Sequence, residues 1–448
     1  MRELMSKKAW GFLPILFLYT LMLSCSGDDN PDPADDPVSD LIQVIGDDYE
    51  VRTEFGSLQE LNVVTNGIFA IWWYPPFDHQ QDANTMFNWL NEIRTDCLET
   101  LGMSDPPNPA AGYYYNIYIH HNEDDSFPEW WNNGQGTDEN GMPYLTLPDG
   151  AHLNKLNVFH EGFHIFQYSS DSPGFEYTGD SQWYVESSAQ WFMADRNPGE
   201  VNAFIEAGAV SANPQLTLWH SFENQAEGDP TDWLYQVRQY GMHTYLYYLT
   251  QVARVNPAFI TDGFYGQVNI SPQEYLYNQV GGDQLRAFFA DWAAANTRDF
   301  DYLTPQQWER AQQEVEAVAD ANNMNPYALT IEGDNMVGTH IPNRGLLPRG
   351  WSYNVIKVNN PPVGENISYQ LVGNSSGSEG AAAHFESRVV FKTGSGYTSQ
   401  ALTMDDNVTG SINFTVEQGV EALYIIVAAV PEHFSGNQTY DYQIELSR

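Results

Sequence analysis

Up to about residue 320 the chain repeats apolar residues at helical spacing, and from about residue 331 it does not. Helical stripes are predicted over 82–101, 153–168, 182–196, 233–252, 273–280, 283–296 and 305–319. Strand-like runs are interspersed before residue 150: two within 49–75, the second being GIFAIWWY at 67–74, then GYYYNIYIH at 112–120 and a short run near 143–147. Beyond 331, short β-rich runs at 352–358, 367–372, 383–391, 410–416, 422–430 and 440–446 alternate with Gly, Asn and Ser turns, the pattern of a β-sandwich. The expected fold class is α+β. A mixed strand/helix domain over 46–330, mainly helical, is followed by a C-terminal sandwich over 331–448.

The N-terminus carries an address. Arg2, Lys7 and Lys8 precede an apolar run over 9–23 that ends in Leu23-Ser24-Cys25, so residues 1–24 read as a secretory signal. The run is shorter than the roughly 20 residues of a spanning helix. With its Cys at the cleavage point it resembles the bacterial lipoprotein signal, although Met22 stands where that family usually has Leu. The resemblance implies lipid modification of Cys25 as the first mature residue. Residues 25–45 are rich in Pro and Asp and read as an extended, self-repelling tether. Acidic residues just after a lipidated Cys resemble the export tag of Bacteroidetes surface lipoproteins, which implies the bacterial outer membrane or cell surface. Cys97 is then the one remaining thiol, and its place in a helical stripe marks it as a small core residue.

Charge excludes one class of partner. Fifty-nine acids against 18 bases give a net charge of −41, which repels phosphate backbones and anionic lipid. No nucleic-acid partner is expected, and membrane contact is expected through the lipid anchor only. The acid is uneven: residues 25–330 hold 46 acids and 9 bases, while 331–448 hold 12 and 6. Such a surface favours basic or neutral substrates, and it makes Ca2+ a second candidate cation beside the zinc argued next.

His160-Glu161-Gly162-Phe163-His164 is an HExxH motif. Leu153, Leu156, Phe159, Phe163 and Phe166 recur at helical spacing around it, so the motif lies within a helix. Two His four positions apart project from one face and can close on one Zn2+, while Glu161 flanks the ion and can act as general base. Trp183-Tyr184-Val185-Glu186-Ser187-Ser188-Ala189 follows on a second helix. HEGFH and this W-x-x-E-x-x-A pattern together resemble the gluzincin metallopeptidases, over about residues 112–249. The resemblance implies Glu186 as third zinc ligand, with small Ala189 easing the approach of the second helix. It further implies the oxyanion donor in the Tyr-Gly helix start at 235–243, where Tyr240 is nominated, with Tyr235 and His243 as substitutes.

Two features depart from that family. Gln190 stands where thermolysin-like members place an Asp that buttresses a zinc-bound His. Residues 138–143 read DENGMP rather than the aminopeptidase Gly-x-Met-Glu-Asn strand, so an endopeptidase is slightly favoured. His120-His121 end a strand, and their side chains point to opposite faces. His79, His152, His220, His340, His384 and His433 stand at no ligand-like spacing. The sequence therefore reads as a secreted, lipid-anchored zinc peptidase acting on peptides or proteins, glycoproteins included. Its rival is a surface lipoprotein that binds glycan or peptide through aromatic loops such as Trp130-Trp131, around a vestigial zinc site.

Overall fold

The computed structural model describes residues 40–41, 52–53, 62–73, 77–120, 134–137, 142–221, 232–318 and 324–448. The signal, Cys25, Trp130, Trp131 and residues 138–141 fall outside the described residues. The chain is α+β, with helices and several sheets. Its compact units are 1–171 and 172–448. Among the described residues no helix is long and apolar enough to cross a membrane.

The first unit is built on a five-stranded sheet of order β1-β2-β3-β5-β4, where β1 is Asn62–Thr65, β2 Phe69–Trp73, β3 Tyr115–His120, β4 Gly134–Thr137 and β5 Pro143–Pro148. The three central strands β2, β3 and β5 are parallel, with Ile71 beside Ile117 and Ile117 beside Leu145. Parallel strands are covered on both faces, which is why β2 reads FAIWW with every residue buried and no polar alternation. Trp72 satisfies its indole by donating to Asn116 Oδ1 at 3.1 Å.

Helix α1 (Gln80–Thr95) connects β2 to β3 and buries Ala83, Met86, Phe87, Leu90 and Ile93. It packs against α2 (Lys155–Gln167), which follows β5 and carries HEGFH. Gly162 permits that approach: a Cβ there would stand 2.7 Å from Ile93 Cδ1. Cys97, in the π-turn that extends α1, is buried.

The second unit joins helices to a sandwich. Its helices include α3 (Gln182–Arg196), α4 (Ala207–Ala212), α5 (Asp232–Gly241), α6 (His243–Tyr247), α7 (Pro272–Val280), α8 (Gly282–Thr297) and α9 (Pro305–Val318). The strands are β6 (Leu329–Glu332), β7 (Gly338–His340), β8 (Ser352–Asn359), β9 (Asn366–Gly373), β10 (Phe385–Thr393), β11 (Gly396–Ala401), β12 (Thr403–Met404), β13 (Thr409–Thr415), β14 (Val420–Ala429) and β15 (Tyr442–Ser447).

One sheet runs β11-β10-β14-β8-β6 and the other β12-β13-β9-β15-β7; every pairing is antiparallel except β6 with β8. Ile356, Val389, Leu423 and Ile425 of the first sheet pack with Ile367, Leu371, Phe414 and Ile444 of the second in one buried cluster.

Strands β8, β10 and β14 of the first sandwich sheet are buried along most of their length, whereas the edge strand β11 is mostly exposed. The outer face of this sheet is covered by α8. Arg388 on β10 donates from Nε to Asp291 Oδ1 at 2.6 Å, and Arg286 donates from Nε to the Val430 carbonyl at 3.1 Å. Trp351 is 1% exposed, packs edge-on against Phe289 and donates from Nε1 to the Pro431 carbonyl at 2.9 Å. The change in texture near residue 331 marks where helix gives way to strand, and the helices from α3 onward share a compact unit with the sandwich.

Candidate functional site

Helix α2 begins where the sequence provides a cap. Asn154 holds extended backbone angles, and its side chain accepts a hydrogen bond from the Leu156 amide at 3.1 Å. Replacing Asn154 with Ala should lower the unfolding free energy by about 1 kcal/mol. A denaturant midpoint equal to that of the parent protein would show that this cap contributes nothing.

From Asn157 to Gln167 every residue of α2 is buried, so the helix runs through the interior of its unit. His160 is 3% exposed, and Glu161 and His164 are fully buried. Their i, i+4 spacing brings the two imidazoles together: ring centroids lie 4.8 Å apart at 87°, with Nε2 to Nε2 at 3.1 Å. A carboxylate oxygen of Glu161 lies within 4.8 Å of the ligating nitrogens of both rings. His164 Nδ1 donates to Gln167 Oε1 at 2.6 Å, which places the lone pair on Nε2, facing His160.

These residues can hold a metal ion. Zinc–nitrogen bonds of about 2.05 Å at a tetrahedral angle set two ligand nitrogens roughly 3.3 Å apart, close to the span between the rings. The Gln167 contact supplies the orienting bond that a ligating imidazole ordinarily receives from its surroundings.

Gln167 was not among the sequence candidates. It stands three positions after His164 on the same helical face, so the spacing rule that found the motif also reaches it. Gln190, weighed for that role on family position, hydrogen-bonds to Glu206.

Glu186 and Tyr240 belong to the second unit. The segment of α3 from Gln182 to Ala194 is buried throughout. Trp183 donates to Gln273 Oε1 at 3.2 Å, Tyr184 to the Ile260 carbonyl at 2.9 Å and Trp191 to Thr250 Oγ1 at 3.0 Å, so the aromatic residues flanking Glu186 are fixed. Glu186 itself is fully buried, and burial of a carboxylate demands a cation, a donor or a proton in compensation. Tyr240 lies in α5 and is 4% exposed. Its carbonyl accepts from His243 Nδ1 at 2.8 Å. Tyr235 lies in the same helix.

The histidines without ligand-like spacing divide differently in space than in sequence. His79 and His152 meet beside Asp149, in a second group of residues able to hold a metal ion. No sequence pattern announces this pair, because the parallel sheet and not a helical repeat brings them together.

Neither a protein-family model nor a curated protein matches the chain. Among solved structures, one described as CorA, a surface-associated copper-binding protein important in Methylomicrobium album BG8 copper acquisition, aligns at 13% identity over 27% of this chain and 98% of its own, with a TM-score of 0.17. Another, the family GH115 4-O-methyl-alpha-glucuronidase BtGH115A, with specificity for decorated arabinogalactans, aligns at 9% identity over 66% of this chain and 42% of its own, with a TM-score of 0.16. At such scores neither likeness bears on fold or function.

Proposed function

We propose that the chain is a zinc-dependent peptidase, secreted and lipid-anchored through Cys25 at a bacterial cell surface. The observation that carries the reading is the buried pair His160 and His164, with Nε2 atoms 3.1 Å apart, Gln167 fixing one tautomer, and the Glu161 carboxylate beside both rings. A Lewis acid held there would polarise a peptide carbonyl and acidify a water molecule. Glu161 would take the proton and pass it to the leaving amine. Glu186 and Tyr240 are carried over from the sequence resemblance, the first as third ligand and the second as hydrogen-bond donor to the oxyanion. The acidic composition of residues 25–330 favours basic or neutral peptide substrates, and an endopeptidase is slightly favoured.

Metal analysis tests the reading most directly. Protein purified without chelator should contain zinc, and His164→Ala should lose the ion bound at this motif. Less than about a tenth of an equivalent in the parent protein would defeat the zinc assignment. Zinc-loaded protein that leaves a diverse peptide library intact would defeat the peptidase reading while sparing the metal site.

A further inference from the structure

The carboxyl ends of β2 and β5 bring together groups that the HEGFH site does not use. His79 immediately precedes α1 and is 7% exposed, with the Trp73 ring set edge-on at 6.0 Å. His152 lies in the single 3-10 turn Ala151–Leu153 between β5 and α2 and is fully buried. The two imidazoles stand 4.7 Å apart at 76°. Clefts at the carboxyl ends of parallel strands are where open sheets of this kind most often bind ligands.

Hydrogen bonding orients both rings. Asp82 Oδ2 lies 3.2 Å from His79 Nδ1 and 3.3 Å from His152 Nε2, so one carboxylate oxygen accepts an N–H from each. The Gly150 amide donates to His152 Nδ1 at 3.2 Å, which agrees with the proton of that ring sitting on Nε2. Gly150 has φ of +89°, a left-handed conformation that glycine adopts without strain and that turns the chain from β5 toward His152. The opposite edges of the rings face a second carboxylate: Asp149 Oδ1 lies 4.0 Å from His79 Nε2 and 3.7 Å from His152 Nδ1.

We propose that His79 Nε2, His152 Nδ1 and Asp149 Oδ1 form a second divalent-metal site, with Asp82 as the outer carboxylate that holds both imidazoles in register. Two nitrogens and one oxygen suit zinc and its first-row neighbours better than Ca2+ or Mg2+. Ligand atoms around tetrahedral zinc lie roughly 3.3 Å apart, so the Asp149 oxygen would close on the two nitrogens by several tenths of an ångström. Asp149 can supply the movement, because its side chain is 49% exposed. The ion would take the place of the Gly150 amide at His152 Nδ1. A simple ion-pair network needs one carboxylate between the histidines, whereas here a second one faces the other edge of both rings. The site clips the start of α1 to the turn before α2, and it shares no residue with HEGFH.

Zinc stoichiometry decides the matter. Protein stripped with chelator and dialysed against zinc should regain about two equivalents, with about one retained in His164→Ala and about one in Asp149→Asn. If HEGFH itself binds no zinc, the parent protein and His164→Ala should each hold about one equivalent and Asp149→Asn almost none. Asp149→Asn that binds as much zinc as the parent, with an affinity within about twofold, would overturn the proposal; about tenfold weakening or more supports it. Circular dichroism checks that each variant is folded. Should Asp149→Asn fail to fold, zinc titration of folded His160→Ala/His164→Ala gives the decision: one bound ion supports the site and none overturns it.

Discussion

Glu161→Gln is expected to keep zinc bound while cutting peptide hydrolysis by about 10²–10⁴-fold. Gln has the size and shape of Glu, so a fully buried position should accept it with little rearrangement. Neither ring nitrogen of the His160–His164 pair is altered, and the Gln167 bond that sets the His164 tautomer remains. An amide cannot take a proton from water near neutral pH or return one to a departing amine. Zinc content measured beside turnover separates the two consequences: metal retained with turnover lost supports the assignment. Turnover within about twofold of the parent value would remove Glu161 from the chemistry.

The second large effect concerns stability. Glu206, immediately before α4, is 8% exposed. Burial, with the nearby Glu314 charge, pushes its carboxyl up to about 8, against the opposing pull of its own backbone, Arg310 and the Gln190 amide. A carboxyl that holds its proton more tightly folded than unfolded favours folding fully below its unfolded value of 4.5. That contribution drains away as pH rises from there through about 8. The span corresponds to an upper bound of about 5 kcal/mol. Glu206→Gln resembles the protonated acid and has nothing to titrate. It should match the parent protein near about pH 4 and exceed it by a few kcal/mol near about pH 8.5. Denaturant melts at the two pH values check this, and a variant-to-parent difference that does not change with pH would contradict it.

Much of the architecture is legible in the sequence where side-chain period decides it. The segment 182–196 has helical period and is helical to its ends, and the apolar run at 67–74 contains the strand Phe69–Trp73, buried at every residue. What escapes the sequence is instructive. β11 has a mostly exposed surface, with no apolar alternation to betray it at the sheet edge. The long helical stripe at 233–252 is broken into α5, α6 and a π-turn, because periodicity alone does not register a local change in hydrogen-bond pattern.

The candidate sites divide along the same line. His160, His164 and Gln167 share one helix face, so spacing exposes them. His79 meets Asp149 and His152 only after β2 and β5 are placed on either side of β3 in one parallel sheet, a long-range arrangement that leaves no trace in local pattern.

The arrangement of α8 also bears on how such a chain can be inherited. Arg388, Arg286 and the packing of Trp351 on Phe289 fasten this helix to the outer face of β10, β14 and β8. A sandwich passed to another gene without its helices would arrive with that face bare and prone to self-association. Helix α8 passed on without the sandwich would lose the sheet face it packs against. The heritable module is therefore larger than the change in texture suggests: recombination that preserves folding should carry helix and sandwich together.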